Sequence, residues 1–178
     1  MKESINLLAV LNISLLLIFL QMVGAFYSKS FALFAYAGLI ISDAFSLLTK
    51  FADLNDTDEG FRKAQFVSVV LNASVLFILA LVMISRTLGA ASPPKIINIP
   101  LAEITASTAF VGLIVCFFIY GQFIFTALLS LLIIMELSVP VLKKIVLLDS
   151  YLSVFFAILI MMQSVLLMKN SVKILKNK

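Results

Sequence analysis

Apolar residues run through this chain in long continuous stretches, not in the alternating pattern of a strand or the one-sided stripe of a soluble helix. The first holds Leu7-Leu8-Ala9-Val10-Leu11 and then Leu15-Leu16-Leu17-Ile18-Phe19-Leu20. Taken with their breakers, the stretches predict six helical spans, at 6–26, 31–51, 65–85, 101–120, 123–142 and 147–168. Each is close to the roughly 20 residues that a helix needs to cross the hydrocarbon of a bilayer. A membrane β-barrel is excluded, because its strands would alternate.

The breakers are short. Tyr27-Ser28-Lys29-Ser30 predicts a turn, and a polar loop follows from Asp53 to Lys63. Gly89 and Pro93-Pro94 mark the loop from Arg86 to Pro100, since neither residue type continues a helix well. Only Gly121-Gln122 separates the fourth span from the fifth. One merged helix is the alternative, but about 40 apolar residues greatly exceed a single crossing. Pro140 ends or kinks the fifth span, and Lys143-Lys144 lead to the sixth. The first stretch is too long for a signal h-region, which makes cleavage after Val23-Gly24-Ala25 the lesser alternative.

Composition sharpens this picture. Of the 178 residues, 63% are hydrophobic and only 12% charged, against roughly 25% charged in a soluble domain. A soluble surface could not be kept polar, and intrinsic disorder is excluded for the same reason. The fold class is therefore all-α: a polytopic integral membrane protein with one transmembrane domain spanning 1–178. Histidine and tryptophan are absent, and Cys116 is the lone cysteine. There is no intramolecular disulfide, and no histidine- or cysteine-based metal site.

Orientation follows from the loop cations. One side carries eight: Lys2, Lys50, Arg62, Lys63, Lys169, Lys173, Lys176 and Lys178. The other carries five: Lys29, Arg86, Lys95, Lys143 and Lys144. The bias puts both termini on the inner side, cytoplasmic or matrix, and an organellar membrane such as the mitochondrial inner membrane suits such a chain. The basic tail can lie against anionic lipid headgroups. The dispersed cations carry no nucleic-acid signal.

Charges inside a bilayer cost roughly 2.5–3.5 kcal/mol each on insertion scales, so each needs a reason. Asp43 falls near the middle of the second span and Glu136 two-thirds along the fifth. Asn12, Asn72 and Gln163 are uncharged polar residues within spans. Two readings stay open: a cation or proton path through Asp43, Asn72, Glu136 and Asp149, or acids that are protonated or hydrogen-bonded to neighbouring helices. Glu103 and Asp149 read more simply as acids at helix starts, with Asp149-Ser150 suited to an N-cap. Ser42, Ser46, Ser74 and Ser138 read as small residues at helix contacts. No nucleophile elbow, phosphate loop or CxxC is present, so no residue supports an enzyme and no cofactor is expected.

Several motifs resemble the transmembrane domain of the cation diffusion facilitator family, the zinc–proton antiporters. Ser30 to Asp43, read as S-F-A-L-F-A-Y-A-G-L-I-I-S-D, looks like that family's S-x-A-L-x-A-D-A-x-H-x-x-S-D. Gly60-Phe61-Arg62-Lys63-Ala64-Gln65 resembles its G-Y-x-R-A-E, and Asn72 falls on the third span's usual Asn. Ser92-Pro93-Pro94-Lys95-Ile96 is similar to N-P-P-E-I. Leu148-Asp149-Ser150-Tyr151-Leu152-Ser153 resembles A-D-P-x-x-S, and Lys169-Asn170-Ser171-Val172-Lys173-Ile174-Leu175 resembles R-E-S-V-R-I-L. The order of the motifs covers roughly 24–178.

The resemblance implies a tetrahedral zinc site from H-x-x-x-D on the second span and again on the fifth. Those positions fall at Leu39, Asp43, Ser130 and Ile134, with Ser138 aligned to the family's following Ser. One ligand in four survives, so no metal is expected. Glu136 lies two residues past Ile134, about 200° around the helix, and does not restore the set. The family's His-rich loop and C-terminal metal-sensing domain have no counterpart here, and Arg86 replaces a usual Glu. The resemblance thus implies a chain that keeps the fold and has lost zinc transport. It would serve as an accessory or structural subunit in a heterodimer or a larger membrane complex, in contact with lipid. The alternative is a working cation–proton antiporter that uses Asp43 with Ser42, Ser46, Asn72 and either Glu136 or Asp149.

Asn55-Asp56-Thr57 is a glycan acceptor motif that this orientation places inside, while those at Asn12 and Asn72 lie within spans. Expression in a glycosylating membrane system should leave Asn55 unmodified. A glycosidase-sensitive mass increase that Asn55→Gln removes would reverse the orientation.

Overall fold

The computed structural model describes residues 2–55, 59–89, 98–121, 123–138 and 148–176. Among the described residues there are six helices and no strand: α1 (Lys2–Ser28), α2 (Phe31–Asn55), α3 (Glu59–Gly89), α4 (Ile99–Tyr120), α5 (Ile124–Ser138) and α6 (Leu148–Lys176). Each expected span falls on one helix. Three stretches are long and apolar enough to cross a membrane: Ile5–Ser28, Ile99–Tyr120 and Leu148–Leu166. The apolar parts of the other helices are shorter, at Phe31–Leu47, Val69–Val82 and Ile124–Ser138.

Helix ends depart from the hydropathy reading. The expected polar loop 53–63 is helical as far as Asn55 and again from Glu59. α3 runs on to Gly89, and α6 carries the basic tail as far as Lys176. An apolar run stops where the side chains turn polar, but a helix satisfies its backbone internally and has no reason to stop there. The fifth helix is described as far as Ser138; the expected end at 142, Pro140 and Lys143-Lys144 lie outside the described residues.

Two helix boundaries have local causes. α4 begins before Pro100, not after it. Asn98 caps the helix, its Oδ1 accepting from the Leu101 N–H at 3.4 Å while its carbonyl accepts from Ala102 N–H at 3.0 Å. Proline fits there because the N–H it lacks would have had no partner in a first turn. Gly121 ends α4 in the left-handed conformation, φ 73°, with its N–H on Phe117 O at 2.6 Å. The predicted break is therefore real. Phe123 also takes φ 73° and is buried as α5 begins.

Side-chain pairs fix how the helices run. Leu17 packs on Gly112, Gln21 reaches Thr105, and Ser28 O accepts from Asn98 N–H, so α1 and α4 are antiparallel. Ser30 meets Asp149, Tyr36 meets Phe156, and Asp43 meets Gln163, so α2 and α6 are parallel. α1 packs against both α2 and α4, α5 lies on α4 and reaches α2, and α3 pairs with α6.

The bundle is apolar on both sides. On α4 the buried face is Ala102, Thr105, Ala106, Ala109, Leu113 and Cys116. Its outer face presents Ile104, Val111 and Phe118, the last 82% exposed. Small residues face inward and large ones outward, an arrangement that suits a lipid solvent and would be insoluble in water. Asn12, on the outer face of α1, donates an amide N–H to Leu8 O at 3.0 Å.

Close approach of α1 and α4 depends on Gly24. A Cβ there would sit 2.3 Å from Thr105 Cγ2 and 2.8 Å from Thr105 Cβ. Thr105 cannot easily give way, since its hydroxyl donates to Leu101 O at 2.7 Å. Gly24→Ala should therefore lower stability by about 1–3 kcal/mol through overpacking, and Thr105→Ala should restore part of it. Thermal melts of the purified variants in detergent measure both effects.

Candidate functional site

The intramembrane polar residues gather in two layers. The first is built around Asp43, half-buried on α2. Its Oδ2 accepts a short hydrogen bond from the Thr126 hydroxyl of α5, and its Oδ1 faces Gln163 Nε2 of α6 at 3.5 Å. Two turns earlier on the same face of α2, the fully buried Tyr36 donates its hydroxyl to Thr126 O at 2.8 Å. The Ser130 side chain reaches that same hydroxyl, and Ser130 Oγ donates to Ala127 O at 2.5 Å. Asp43, Thr126, Gln163, Tyr36 and Ser130 thus join α2, α5 and α6 by polar contacts.

Sequence reasoning missed Thr126 and Tyr36 in this layer. Helical spacing contained the signal: Thr126 and Ser130 are one turn apart on α5, and Tyr36 and Asp43 are two turns apart on α2. What the sequence could not supply was the register between the two helices.

At the four positions that would hold zinc, the chain offers little. Leu39 is apolar and fully buried, and Ile134 is apolar and partly buried. Asp43 is engaged on both oxygens, and the Ser130 hydroxyl is spent on its own helix. Among the described residues no three His, Cys, Asp or Glu side chains group as a metal-ligand set. Asn72, expected to join Asp43, has its Nδ2 buried without a partner among the described residues.

The second layer lies at one end of the bundle. Ser30 precedes α2, and its Oγ accepts from Leu33 N–H at 3.2 Å as an N-cap. The same hydroxyl donates to Asp149 Oδ1 at 2.5 Å. Phe31 N–H donates to Asp149 Oδ2 at 2.9 Å, and Ala32 N–H to Oδ1 at 3.3 Å. Asp149 was expected to serve the start of its own helix. It does lie in the first turn of α6, and its carboxylate also closes the N-terminus of α2. The reason is geometric: α2 and α6 are parallel and start level, and α2 leaves its first N–H groups without intrahelical partners.

Glu136 of α5 is buried, at 7% exposure, and its Oε2 has no hydrogen-bond partner among the described residues. Glu103, expected only as an acid at a helix start, accepts from the Ser138 hydroxyl at 2.8 Å and so links α4 to α5. Two residues of the expected ion path, Asp43 and Asp149, thus lie at different depths of the bundle. Asp43 stands twelve residues along α2 from Phe31, roughly 18 Å at 1.5 Å per residue. The chain matches no family model and no curated protein.

Removing the Asp149 carboxylate strands the Ser30 hydroxyl and two N–H groups in a buried setting. Asp149→Ala should cost about 1–3 kcal/mol or more, the range for orphaned buried donors. Ser30→Ala should cost about 1 kcal/mol. The double variant should cost less than the sum, since both changes break one network. Melting in detergent of the four proteins, wild type included, gives the coupling.

Proposed function

We propose that this chain is a six-span membrane protein, built as one transmembrane domain, whose fold is like that of the cation diffusion facilitators and whose zinc site has been dismantled. It acts as an accessory or structural subunit of a membrane complex, as one half of a heterodimer or within a larger assembly. It is not an enzyme. Both termini lie on the inner side of the membrane.

One observation carries this reading. At the four family positions the side chains are used for packing and for helix-to-helix contacts, and none presents a free donor. Leu39 and Ile134 fill space, Ser130 bonds its own helix, and Asp43 is divided between Thr126 and Gln163. A transport site needs ligands that can exchange water for metal, and one that opens alternately to each side. Here the only surviving acid joins three helices. The antiparallel α1–α4 pair and the parallel α2–α6 pair also fit helices that alternate in direction along the chain. An even number of crossings would leave both termini on one side.

The experiment has two parts. Proteoliposomes containing the full chain should take up zinc no faster than empty vesicles, under either a proton gradient or its reverse. The tagged chain, isolated in a mild detergent at native expression, should carry a protein partner in fixed stoichiometry. Zinc or other cation uptake abolished by Asp43→Asn would sink the accessory reading and establish an antiporter that works through Asp43.

A further inference from the structure

We propose that the outer face of α1 is a homodimer interface, where Asn12 pairs with the Asn12 of a second copy of this chain. The two-fold axis runs along the membrane normal. The proposal concerns the purified chain alone and does not depend on the accessory-subunit reading.

Two independent observations meet on this face. The first is its period. Leu7, Val10, Ser14, Leu17 and Gln21 follow one another at intervals of three and four residues and are buried, with Leu17 and Gln21 against α4. A second row is offset from them by two residues, about 200° around the helix. In it Ile5, Asn12, Phe19 and Phe26 recur every seven residues, and Leu8, Leu15 and Met22 fall between them. Every member of this row is exposed. An apolar heptad row with one Asn at an a-type position is the pattern that fixes register and strand number in two-stranded helix pairs. The second observation is the Asn12 amide. One N–H donates to Leu8 O at 3.0 Å, while the other N–H and Oδ1 make no hydrogen bond among the described residues. Asn12 lies seven residues into the apolar stretch that begins at Ile5, roughly 10 Å along the axis. Open polar groups at that depth are costly, because hydrocarbon cannot serve them. Thr108, exposed on α4, shows the contrast: its only hydroxyl proton is shared between Ile104 O at 3.0 Å and Thr105 O at 2.8 Å.

Complementarity of partial charge identifies the occupant. The open groups of Asn12 are one donor and one acceptor, so the amide is its own complement. Across a two-fold axis, Oδ1 of each copy accepts from the free N–H of the other, and all four groups close at once. Copies of one chain insert the same way round, so two α1 helices meet in parallel with their Asn12 side chains level. A slip of one heptad would set each amide against Phe19 or Ile5 and leave it open. Lipid tails offer no hydrogen bond at all. The leucine and phenylalanine side chains on either side supply the knobs for the surrounding contact. The buried row turns towards α4, which leaves the outer row clear for a second α1.

The test uses the full chain in liposomes at graded protein-to-lipid ratios, with energy transfer between donor- and acceptor-labelled copies as the readout. Wild type should dimerise reversibly. Asn12→Leu, which keeps the size and removes the amide, should raise the dissociation constant about tenfold, while the melting temperature in detergent holds or rises. Asn12→Gln, which keeps a donor and an acceptor, should recover most of the affinity and guards against a packing effect of leucine. Oxidative cross-linking locates the face. Leu15→Cys should give a covalent dimer, whereas Val111→Cys on α4 and Val75→Cys on α3, also exposed, should not. Wild type, whose lone Cys116 is buried, is the uncross-linked control. A monomeric wild type would leave the face to lipid or to a different protein and overturn the interface. So would an unchanged dissociation constant in Asn12→Leu, or cross-links at Val111→Cys or Val75→Cys without one at Leu15→Cys.

Discussion

The structure depends on the bond between Asp149 and the start of α2. A helix begins with N–H groups that have no partner in their own helix, and in an apolar surround water cannot serve them. Here Ser30 satisfies one such group and the carboxylate of Asp149 satisfies two more. That contact joins residues more than a hundred positions apart and sets α2 and α6 level with each other. Once they are level, Tyr36 falls on Phe156, Gly38 on Ile160 and Asp43 on Gln163. α3 then packs on α6, and α5 reaches across to α2 through Thr126. Hydrophobic burial alone would leave this register loose, because the helix faces are apolar nearly all round.

That last condition is the price of a lipid solvent. When inner and outer faces are equally oily, burial does not discriminate between them, and shape and polar contacts must. The interior consequently holds alanine, serine, glycine and threonine, which let backbones approach. Gly24 against Thr105 and Gly112 against Leu17 are the tight points of the α1–α4 contact. The outer surface holds bulky residues such as Phe19, Phe26 and Phe118, for which no helix of the chain competes.

The sequence disclosed the place of the six described helices, because apolar runs separated by Gly, Pro and charge leave little freedom. It disclosed the break at Gly121, where a left-handed residue was needed. It misjudged helix ends at Asn55, Glu59 and Lys176, because helices extend into polar sequence without any hydropathic mark. Pro100 misled in the other direction, since proline is at ease in a first turn. The polar residues inside spans were visible at once by their cost. Their partners were not. Nothing local to Asp43 points to Thr126, and nothing local to Asp149 points to Ser30. Both pairings belong to the register between helices, which only the whole packing determines. The local rule put Asp149 at the start of its own helix, where it is, but could not show that its carboxylate also serves a neighbour.

The two polar layers answer different demands. Around Asp43 the acid is matched: a hydroxyl and an amide meet the carboxylate, and Tyr36 and Ser130 complete the contact between α2 and α5. A residue so matched contributes to holding helices together, and any ion would have to displace those partners to reach it. At the end of the bundle the matching is incomplete. Asp149 has three donors, whereas Oε2 of the buried Glu136 has none among the described residues. The difference follows from the neighbours: a helix start supplies N–H groups that need an acceptor, and Asp149 lies level with one.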